Sequence, residues 1–595
     1  GHQGIQKAQL QGGLDDEQVA NIRHWTDVFV EMEKRKASIL ATIESQQKLT
    51  PELRAAIENC VNANELEDLY LPFRPKRRTR ATIAKEAGLD PLADKMYEVN
   101  VRNLDAEAAK FVNDKVADID AALAGARDII AERLSESAKV RETLRGIFRT
   151  RRVVSKATKS GRESADAQKF QGYFDYSEPL SRIAAHRLLA MLRGEEAGWL
   201  SVKIDADAEK CGNKLYYDFC QERRYPAGKL AEQIRMAVDD AYKRLLEPSI
   251  TTEILKEAKQ KADQDSIVVF GENLKQLLLA SPVGQKRTMA IDPGFRNGCK
   301  IVCLDENGEL VHHEIVYPHP PKNEKIKAIS SVSSMLEKYG IQAIAIGNGT
   351  ASRETEEFIK RVPLPDGCKV FVVSEDGASI YSASDVAREE FPDEDVTVRG
   401  AVSIGRRLMD PLAELVKIDP KSLGVGQYQY DVDQALLKEK LDNTVESCVN
   451  TVGVNLNTAS TYLLSYVSGI GPALAKSIVK TRSEKGGFRS RKELLKVPRL
   501  GEKAFEQCAG FLRIPGADNP LDNSAVHPEC YHIVDRMAAD LGVSASELVG
   551  NAQMCSGIKP EKYVEGDFGL PTVNDILKEL AKPGRDPREA AQELY

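Results

Sequence analysis

A bend with two glycines, followed one turn later by two lysines, is the part of this sequence best suited to bind phosphate. It reads Ser468-Gly-Ile-Gly-Pro-Ala-Leu-Ala475; Gly469 and Gly471 permit the turn, and Lys476 and Lys480 follow. Such a turn between two short helices leaves main-chain N–H groups unpartnered at a helix N-terminus, where the helix dipole adds positive potential. This is the pattern of a helix-hairpin-helix, which holds a nucleic-acid backbone without reading bases. The alternative is a tight turn whose glycines only permit its geometry.

A second bend repeats this arrangement in Val497-Pro-Arg-Leu-Gly-Glu-Lys-Ala504. Here Gly501 permits the turn, and Arg499 and Lys503 supply positive charge. We therefore predict two phosphate-binding bends in the C-terminal third of the chain.

A dense cationic cluster lies much earlier, between Leu66 and Arg80. Pro72 and Pro75 forbid a continuous helix there, so the segment is predicted to be extended. The cluster consists of Lys76, Arg77, Arg78 and Arg80. One interpretation is that it contacts phosphate. The other is a solvated loop paired with the acids of Glu65–Asp68.

A second run of arginines begins at Arg141. Arg141, Arg145, Arg149 and Arg152 follow at three- and four-residue steps, so they are expected to share one helix face. Unneutralised like charge on one face costs stability, which suggests an anionic partner. The alternative is a face balanced by acids from elsewhere in the fold.

Three carboxylates are candidates for a metal-dependent nuclease. A ribonuclease-H-like enzyme needs carboxylates that converge at strand ends and hold two divalent metals. Asp292 ends a predicted strand, Glu375 lies just beyond a later one, and the next helix, around Arg399–Leu408, has no acid before Asp410. The missing third acid favours the alternative, in which Asp292 caps a turn and Glu375 caps a helix.

Helices are predicted to precede and follow one strand-rich domain. Apolar spacing predicts helices over Gln18–Glu44 and Leu230–Leu246, and 180–280 is predicted to be mostly helix. Thr50 and Pro51 begin another helix as N-cap and first-turn residue. After Pro282 the predicted elements are strands over Arg287–Asp292, Cys299–Leu304, Leu310–Val316, Gln342–Ile346 and Val370–Val373, with a helix over Glu324–Tyr339. A three-strand meander followed by helix–strand–helix–strand is the order of a ribonuclease-H-like α/β domain.

Composition sets limits on location and partners. The net charge is -7, so nucleic-acid binding must use local basic patches rather than a globally basic surface. The ten cysteines show no CxxC pair and no zinc-like spacing, which predicts reduced thiols in a cytoplasmic protein. The sequence shows no signal peptide and no apolar run of membrane-spanning length, so no membrane partner is predicted.

Taken together, several segments resemble the bacterial Tex family of transcription accessory proteins. In the family's order, the matching segments are Leu66–Arg80, His186-Arg-Leu-Leu-Ala-Met-Leu-Arg-Gly-Glu195, Ala290-Ile-Asp-Pro-Gly-Phe-Arg-Asn-Gly298, Gly347-Asn-Gly-Thr-Ala-Ser-Arg353, Asp410–Tyr428 and Pro520-Leu-Asp-Asn-Ser-Ala-Val-His-Pro-Glu529.

The resemblance implies a multidomain, mainly α, elongated helical scaffold with one inserted ribonuclease-H-like (YqgF) domain and tandem helix-hairpin-helix units. The implied domains are a helical region with helix-turn-helix-like and bundle parts over 1–281, the YqgF domain over 282–410, a connector over 411–439, the tandem hairpins over 440–513, and a second hairpin-type domain with a linker over 514–595. The family also implies a C-terminal OB-fold RNA-binding domain and a different N-terminal start, so the chain is expected to be truncated.

These observations predict a nucleic-acid-binding transcription accessory scaffold whose partners are the DNA or RNA backbone and the transcription machinery. It would need no cofactor and no metal. Two alternatives remain: a structure-selective nuclease that uses Mg or Mn at Asp292, Glu375 and Asp410, and a scaffold that docks a polymerase or ribosome component.

Overall fold

α-Helices make up most of this computed structural model, which describes residues 16–75, 77–584 and 586–588. The first helix is α1 (Asp16–Ser45). The described chain divides into two units, one of residues 22–266 and one of residues 267–588 together with 16–21.

The unit of residues 22–266 is helical around one small sheet. Its core is centred on the buried side chains of Leu123, Ile130 and Phe148. The helices are α2 (Pro51–Glu58), α3 (Ala63–Tyr70), α4 (Arg80–Glu86), α5 (Asp90–Tyr97), α6 (Leu104–Ala109), α7 (Ile119–Glu136), α8 (Ala138–Arg149), α9 (Lys159–Glu163), α10 (Ala185–Glu196), α11 (Ala208–Glu222), α12 (Lys229–Asp240) and the long α13 (Glu247–Leu278).

The small sheet consists of three antiparallel strands. β1 (Arg152–Ala157) lies between β2 (Asp175–Pro179) and β3 (Leu200–Asp205). The prediction that 180–280 is mostly helix is confirmed by α10, α11, α12 and α13; β3 lies within this range, and its alternating burial is that of a strand with one covered face. The prediction for Leu230–Leu246 is confirmed by α12 and a π-helical turn that continues it to Leu246.

Local capping explains where the early helices begin and end. The Thr50 hydroxyl accepts the N–H of Leu53 at 3.1 Å, as expected of the N-cap of α2. The prediction of an extended segment from Leu66 to Arg80 is wrong at both ends. α3 continues to Tyr70, because its helical bonds are complete before Pro72, and Arg80 begins α4 with Thr79 as N-cap.

Three of the four arginines in the run from Arg141 to Arg152 pair with acids of the same unit. Arg145 is fully buried and donates to Asp68 and to Glu253, and Arg141 lies 3.4 Å from Asp68. Arg149 pairs with Glu257 at 3.1 Å. Arg152 lies in β1 rather than on the helix and bonds Ser177. The arginines therefore do not form one exposed face, and the alternative with acids from elsewhere in the fold is correct for Arg141, Arg145 and Arg149.

The second unit begins with a five-stranded mixed sheet in the order β6-β5-β4-β7-β8. Its strands are β4 (Thr288–Asp292), β5 (Cys299–Leu304), β6 (Leu310–Val316), β7 (Ala343–Gly347) and β8 (Lys369–Val373), each within one residue of its prediction. β4 pairs antiparallel with β5 and parallel with β7, which is parallel to β8. The carboxyl ends of β4, β7 and β8 therefore meet at one edge of the sheet.

Helices cover both faces of this sheet. Alternate β4 residues face opposite cores: Ile291 packs with α14 (Lys325–Lys338) and α15 (Ser352–Lys360), while Ala290 packs with α18 (Val396–Met409). The remaining helices of this part are α16 (Ala378–Ser382), α17 (Asp385–Glu390) and α19 (Pro411–Leu415).

The rest of the unit is helical. The helices are α20 (Gln434–Val452), α21 (Thr461–Ser465), α22 (Pro472–Lys485), α23 (Glu502–Cys508), α24 (Tyr531–Asp540), α25 (Ala545–Leu548), α26 (Ala552–Ser556) and α27 (Leu570–Ala581). Two short parallel strands, β9 (Val454–Asn455) and β10 (Leu512–Arg513), close the segment that contains both glycine bends.

A buried arginine joins this segment to the final helices. Arg491 is 1% exposed, and its guanidinium donates to the carbonyl oxygens of Leu512, Ser524 and Val526 and to the hydroxyl of Tyr531. Because these internal groups accept its hydrogen bonds, Arg491 has a structural role and is not part of the surface.

The buried charge cluster of residues 22–266 gives a stability prediction. Asp68→Ala removes the more deeply buried of the two carboxylates that pair with both Arg141 and Arg145, so the free energy of unfolding should fall by about 3 kcal/mol. Urea unfolding followed by tryptophan fluorescence measures it, because Trp25 and Trp199 both lie in this unit. The control is Glu86→Ala, which removes the exposed partner of Arg78 and should cost less than about 1 kcal/mol. Equal losses for the two variants would contradict the prediction.

Candidate nucleic-acid interface

The first glycine bend joins α21 to α22 and is fixed from both sides. Gly469 has a left-handed φ of +83°, and the N–H of Ile470 donates to the carbonyl of Val467 at 2.9 Å. On the other side, the Asn450 side chain accepts the N–H of Ser468 at 3.1 Å. The main chain therefore holds its shape without any ligand.

The start of α22 offers main-chain donors to solvent. Gly471 is its N-cap residue, and no side chain caps the helix. Pro472 has no N–H, and within the described chain the N–H groups of Gly471, Ala473 and Leu474 find no acceptor. Gly471, Pro472 and Ala473 are exposed. A Cβ built on Gly471 would meet nothing within 4 Å, so the space in front of these donors is open.

The second bend has the same backbone form with a different residue at the turn. Val497-Pro-Arg-Leu-Gly501 aligns with Val467-Ser-Gly-Ile-Gly471, and the N–H of Leu500 donates to the carbonyl of Val497 at 3.1 Å. Arg499 takes the left-handed position, with φ of +69°. Gly501 caps α23 without a side-chain bond and also faces open space.

The two hairpins pack directly on one another. A Cβ at Gly469 would lie 2.7 Å from the Cβ of Gln507 and 3.3 Å from the carbonyl oxygen of Ala504, both on α23. Only glycine permits this approach, because a methyl group would overlap with Gln507. Gly469 therefore positions the first bend against the helix that the second bend begins.

The cations predicted around these bends are all accessible. Lys476, Lys480, Arg499 and Lys503 are exposed. None of the four forms an ion pair within the part of the chain that the structure describes. Their charge is therefore available to an outside anion.

The earlier cationic cluster is more divided. Arg78 pairs with Glu86 at 2.9 Å, whereas Arg77 and Arg80 are exposed and make no ion pair with a described residue. Lys76 lies outside the described residues. The predicted pairing between this cluster and the acids of Glu65–Asp68 does not form at Glu67, because Glu67 binds Arg35 and Arg74 instead.

Two of the three candidate carboxylates come together at the sheet edge. Asp292 ends β4, and Glu375 follows β8. The Glu375 side chain is hydrogen-bonded to the side chain of Asp292. Burial, and then the charge and hydrogen bond of Asp292, raise the pKa of Glu375 to about 7. Gly347 and Gly349 line the pair so closely that a Cβ on either would overlap with a Glu375 oxygen. The predicted helix cap by Glu375 is wrong, because Gly377 is the N-cap of α16 and no side chain caps that helix.

Asp410 does not join this pair. Its carboxylate caps α19, accepting the N–H of Ala413 at 3.2 Å, and binds Arg588 at 2.7 Å. Where a third acid would come from α18, the helix instead supplies Arg407, which is buried, donates to the carbonyls of Ser374 and Asp376, and acts electrostatically on Glu375. Among the described residues no three His, Cys, Asp or Glu side chains converge as a metal site.

Sequence reasoning missed the residues that hold the site in place. Asn450 and Gln507 are far from the bends in sequence, and no local pattern marks either as a support. Arg407 had a detectable signal: it lies on the buried stripe of α18, between Ser403 and Leu408, where an arginine must have an internal role.

A ribonuclease-H-like sheet followed by paired helix-hairpin-helix units defines a multidomain, nucleic-acid-associated protein. Family models match in the same order: the Tex central region over 101–270, the Tex YqgF-like domain over 286–409, a helix-hairpin-helix motif over 449–513 and an HHH domain over 519–588.

Relatives match along almost the whole chain. It is 48% identical to the transcriptional accessory protein Tex of Neisseria gonorrhoeae over 587 residues, which is 98% of this chain and 77% of that protein. It is 46% identical to protein YhgF of Escherichia coli over 602 residues (98% and 76%), and 31% identical to human S1 RNA-binding domain-containing protein 1 over 631 residues (94% and 62%). The chain therefore belongs to the Tex family.

The family and its hairpin domains give the protein a general role associated with nucleic acid. Within the described ranges, no helix combines the length and apolarity that crossing a bilayer requires.

The two glycines of the first bend should respond differently to substitution. Gly469→Ala forces a left-handed alanine into Gln507 and should lower the free energy of unfolding by about 1–3 kcal/mol. Gly471 has a φ of -92° and faces open space, so Gly471→Ala should lower the free energy of unfolding by less than about 1 kcal/mol. Thermal unfolding of both variants measures this, and equal shifts in Tm would contradict it.

Glu375 predicts a pH dependence of stability. Between its ordinary pKa and about 7, the folded chain binds one proton more than the unfolded chain, so stability falls as pH rises through this window. Glu375→Gln mimics the protonated form and should raise stability by about 1 kcal/mol near pH 8, after allowance for solvent screening, with no gain near pH 4. Calorimetry at both pH values checks this. The control is Glu357→Gln, at an exposed carboxylate of α15; a pH-independent effect of Glu375→Gln would contradict the prediction.

Proposed function

We propose that this protein binds the sugar–phosphate backbone of DNA or RNA independently of sequence, and that it acts as an accessory scaffold in transcription. The observation that carries the proposal is the set of unpartnered N–H groups at the start of α22, exposed beside Lys476 and Lys480. A phosphate placed there would accept main-chain hydrogen bonds and meet the positive end of the helix dipole.

The arrangement favours backbone contact over base recognition. Main-chain N–H groups and lysines bind phosphate oxygens, which are the same for every sequence. The residues proposed for this contact are Gly469, Gly471, Lys476, Lys480, Arg499, Gly501 and Lys503. The second bend repeats the first, and the packing of Gly469 on α23 fixes the two relative to each other. We propose a supporting role for Arg77 and Arg80.

The transcriptional role rests on relatedness. The gonococcal relative is named a transcriptional accessory protein, and the human relative is named for an S1 RNA-binding domain. Contact with the transcription machinery is part of the proposal. A scaffold that docks only proteins would not need a bend with open donors and unneutralised lysines.

The residues of the ribonuclease-H-like domain support a nuclease function less well than a scaffold function. Burial and the neighbouring Asp292 raise the pKa of Glu375 to about 7, Asp410 is held by Arg588, and Arg407 brings positive charge to the place where a third carboxylate would be needed. We therefore propose an architectural role for this domain, and backbone binding that requires no cofactor.

Gly471→Val combined with Lys476→Glu tests the proposal. The valine would fill the space in front of the bend, and the glutamate would repel phosphate. Fluorescence anisotropy with single- and double-stranded DNA and RNA should show weaker binding to every sequence. The slope of log affinity against log salt should fall by about 1 for each lost phosphate contact.

The matched control is Lys327→Glu, which makes the same charge change at an exposed lysine of α14, in the ribonuclease-H-like domain. It should leave affinity nearly unchanged. Normal binding by the folded double variant would contradict the proposal, and so would equal losses in the variant and the control.

A further inference from the structure

A small cavity of about 500 Å³ lies at the C-terminal end of α22, at the opposite end of that helix from the Gly471 bend. Three cations line it: Arg482, Lys485 and Arg489. The single carboxylate among its lining residues, Glu493, pairs with Lys485. The cavity therefore keeps an excess of positive charge.

Neither arginine of the cavity pairs with a carboxylate of the described residues, so both can bind an external anion. Arg482 is half-buried, and its Nη1 donates to the carbonyls of Leu456 at 3.1 Å and Ala459 at 2.8 Å. Burial lowers its pKa, and no carboxylate offsets that loss of hydration. Arg489 is exposed, and its side chain has no hydrogen bond or ion pair with a described residue.

The wall of the cavity is rigid. Gly486 and Gly487 take left-handed φ values of +82° and +113° as the chain leaves α22. The Asn457 side chain accepts the N–H of Phe488 at 2.7 Å and donates to its carbonyl at 2.9 Å, while the Phe488 ring is buried. The loop is therefore fixed before any ligand arrives.

One exposed face of α22 connects the bend to this cavity. Pro472, Lys476, Lys480 and Ser483 follow at three- and four-residue steps, so they share a face, and all four are exposed. Ser483 is itself part of the cavity wall. With a rise of about 1.5 Å per residue, this face is about 20 Å long.

We infer that the cavity binds a second phosphate of the same nucleic acid, so that its backbone follows this face of α22 from Gly471 to Arg489. The inference rests on the proposed function and adds a second contact point with a defined distance and direction. The ligand is a phosphodiester, because the cavity offers guanidinium and ammonium donors and no paired acceptors for a base.

Charge reversal tests the contact at the cavity. Arg489→Glu should weaken binding of a DNA strand long enough to cover α22 and lower its salt slope by about 1, as expected for one lost phosphate contact. Arg489→Ala should weaken binding less. Lys327→Glu is the control for a change of charge at a distant exposed residue and should leave the slope unchanged.

Crosslinking tests the path. All ten cysteines are buried, so a cysteine introduced by Ser483→Cys can be labelled selectively with a thiol-reactive photocrosslinker. It should crosslink to the bound strand, and the same label on Lys327→Cys should not. Absence of a Ser483 crosslink, with binding intact, would overturn the inference.

The outcomes separate this inference from the proposed function. If Lys476→Glu weakens binding and Arg489→Glu does not, the bend stands and the second contact is wrong. If neither variant weakens binding, the proposed function fails and takes this inference with it. If inorganic phosphate binds the cavity by calorimetry while Arg489→Glu leaves DNA affinity unchanged, the cavity is a small-anion site and the inference is overturned.

Discussion

The interface depends on keeping a few main-chain donors unsatisfied by the protein while everything around them is bonded. At the Gly471 bend, Asn450 binds the N–H of Ser468 from one side and Gly469 packs against α23 from the other. The next donors along the chain, at the start of α22, face open solvent. A buried orphan N–H would be costly, whereas an exposed one is hydrated and can exchange its water for a phosphate oxygen. Internal hydrogen bonds therefore fix the shape of the bend, and the donors at the start of α22 remain available to an external ligand.

The same distinction applies to the positive charges. Several arginines of the sequence are directed inwards: Arg145 binds Asp68 and Glu253, and the Arg491 guanidinium donates to carbonyl oxygens. Lys476 and Lys480 of α22 are sparser but lack carboxylate partners among the described residues. Availability of charge, more than its local density, marks the surface that can attract nucleic acid. This agrees with a net charge of -7, which leaves no general attraction to a polyanion.

Sequence patterns predicted what depends on neighbouring residues. The strands of the ribonuclease-H-like sheet, the cap at Thr50 and the two glycine bends all follow from local periodicity or turn chemistry. What the patterns left open depends on distant residues: β3 pairs with β1, Arg141 pairs with Asp68, and Asp410 is bound by Arg588. In the second bend, Arg499 occupies the position that Gly469 has in the first. The sequence shows this, but only the structure shows that both residues have a left-handed backbone.

Amide hydrogen exchange at the first bend tests the central claim most directly. The account predicts that peptides covering 468–476 exchange more slowly when DNA or RNA is bound, because the N–H groups of Gly471, Ala473 and Leu474 would donate to phosphate instead of water. The start of α2, where the Thr50 side chain already accepts the N–H of Leu53, serves as an internal reference and should not change. Unchanged exchange across 468–476 in a saturated complex would contradict the account.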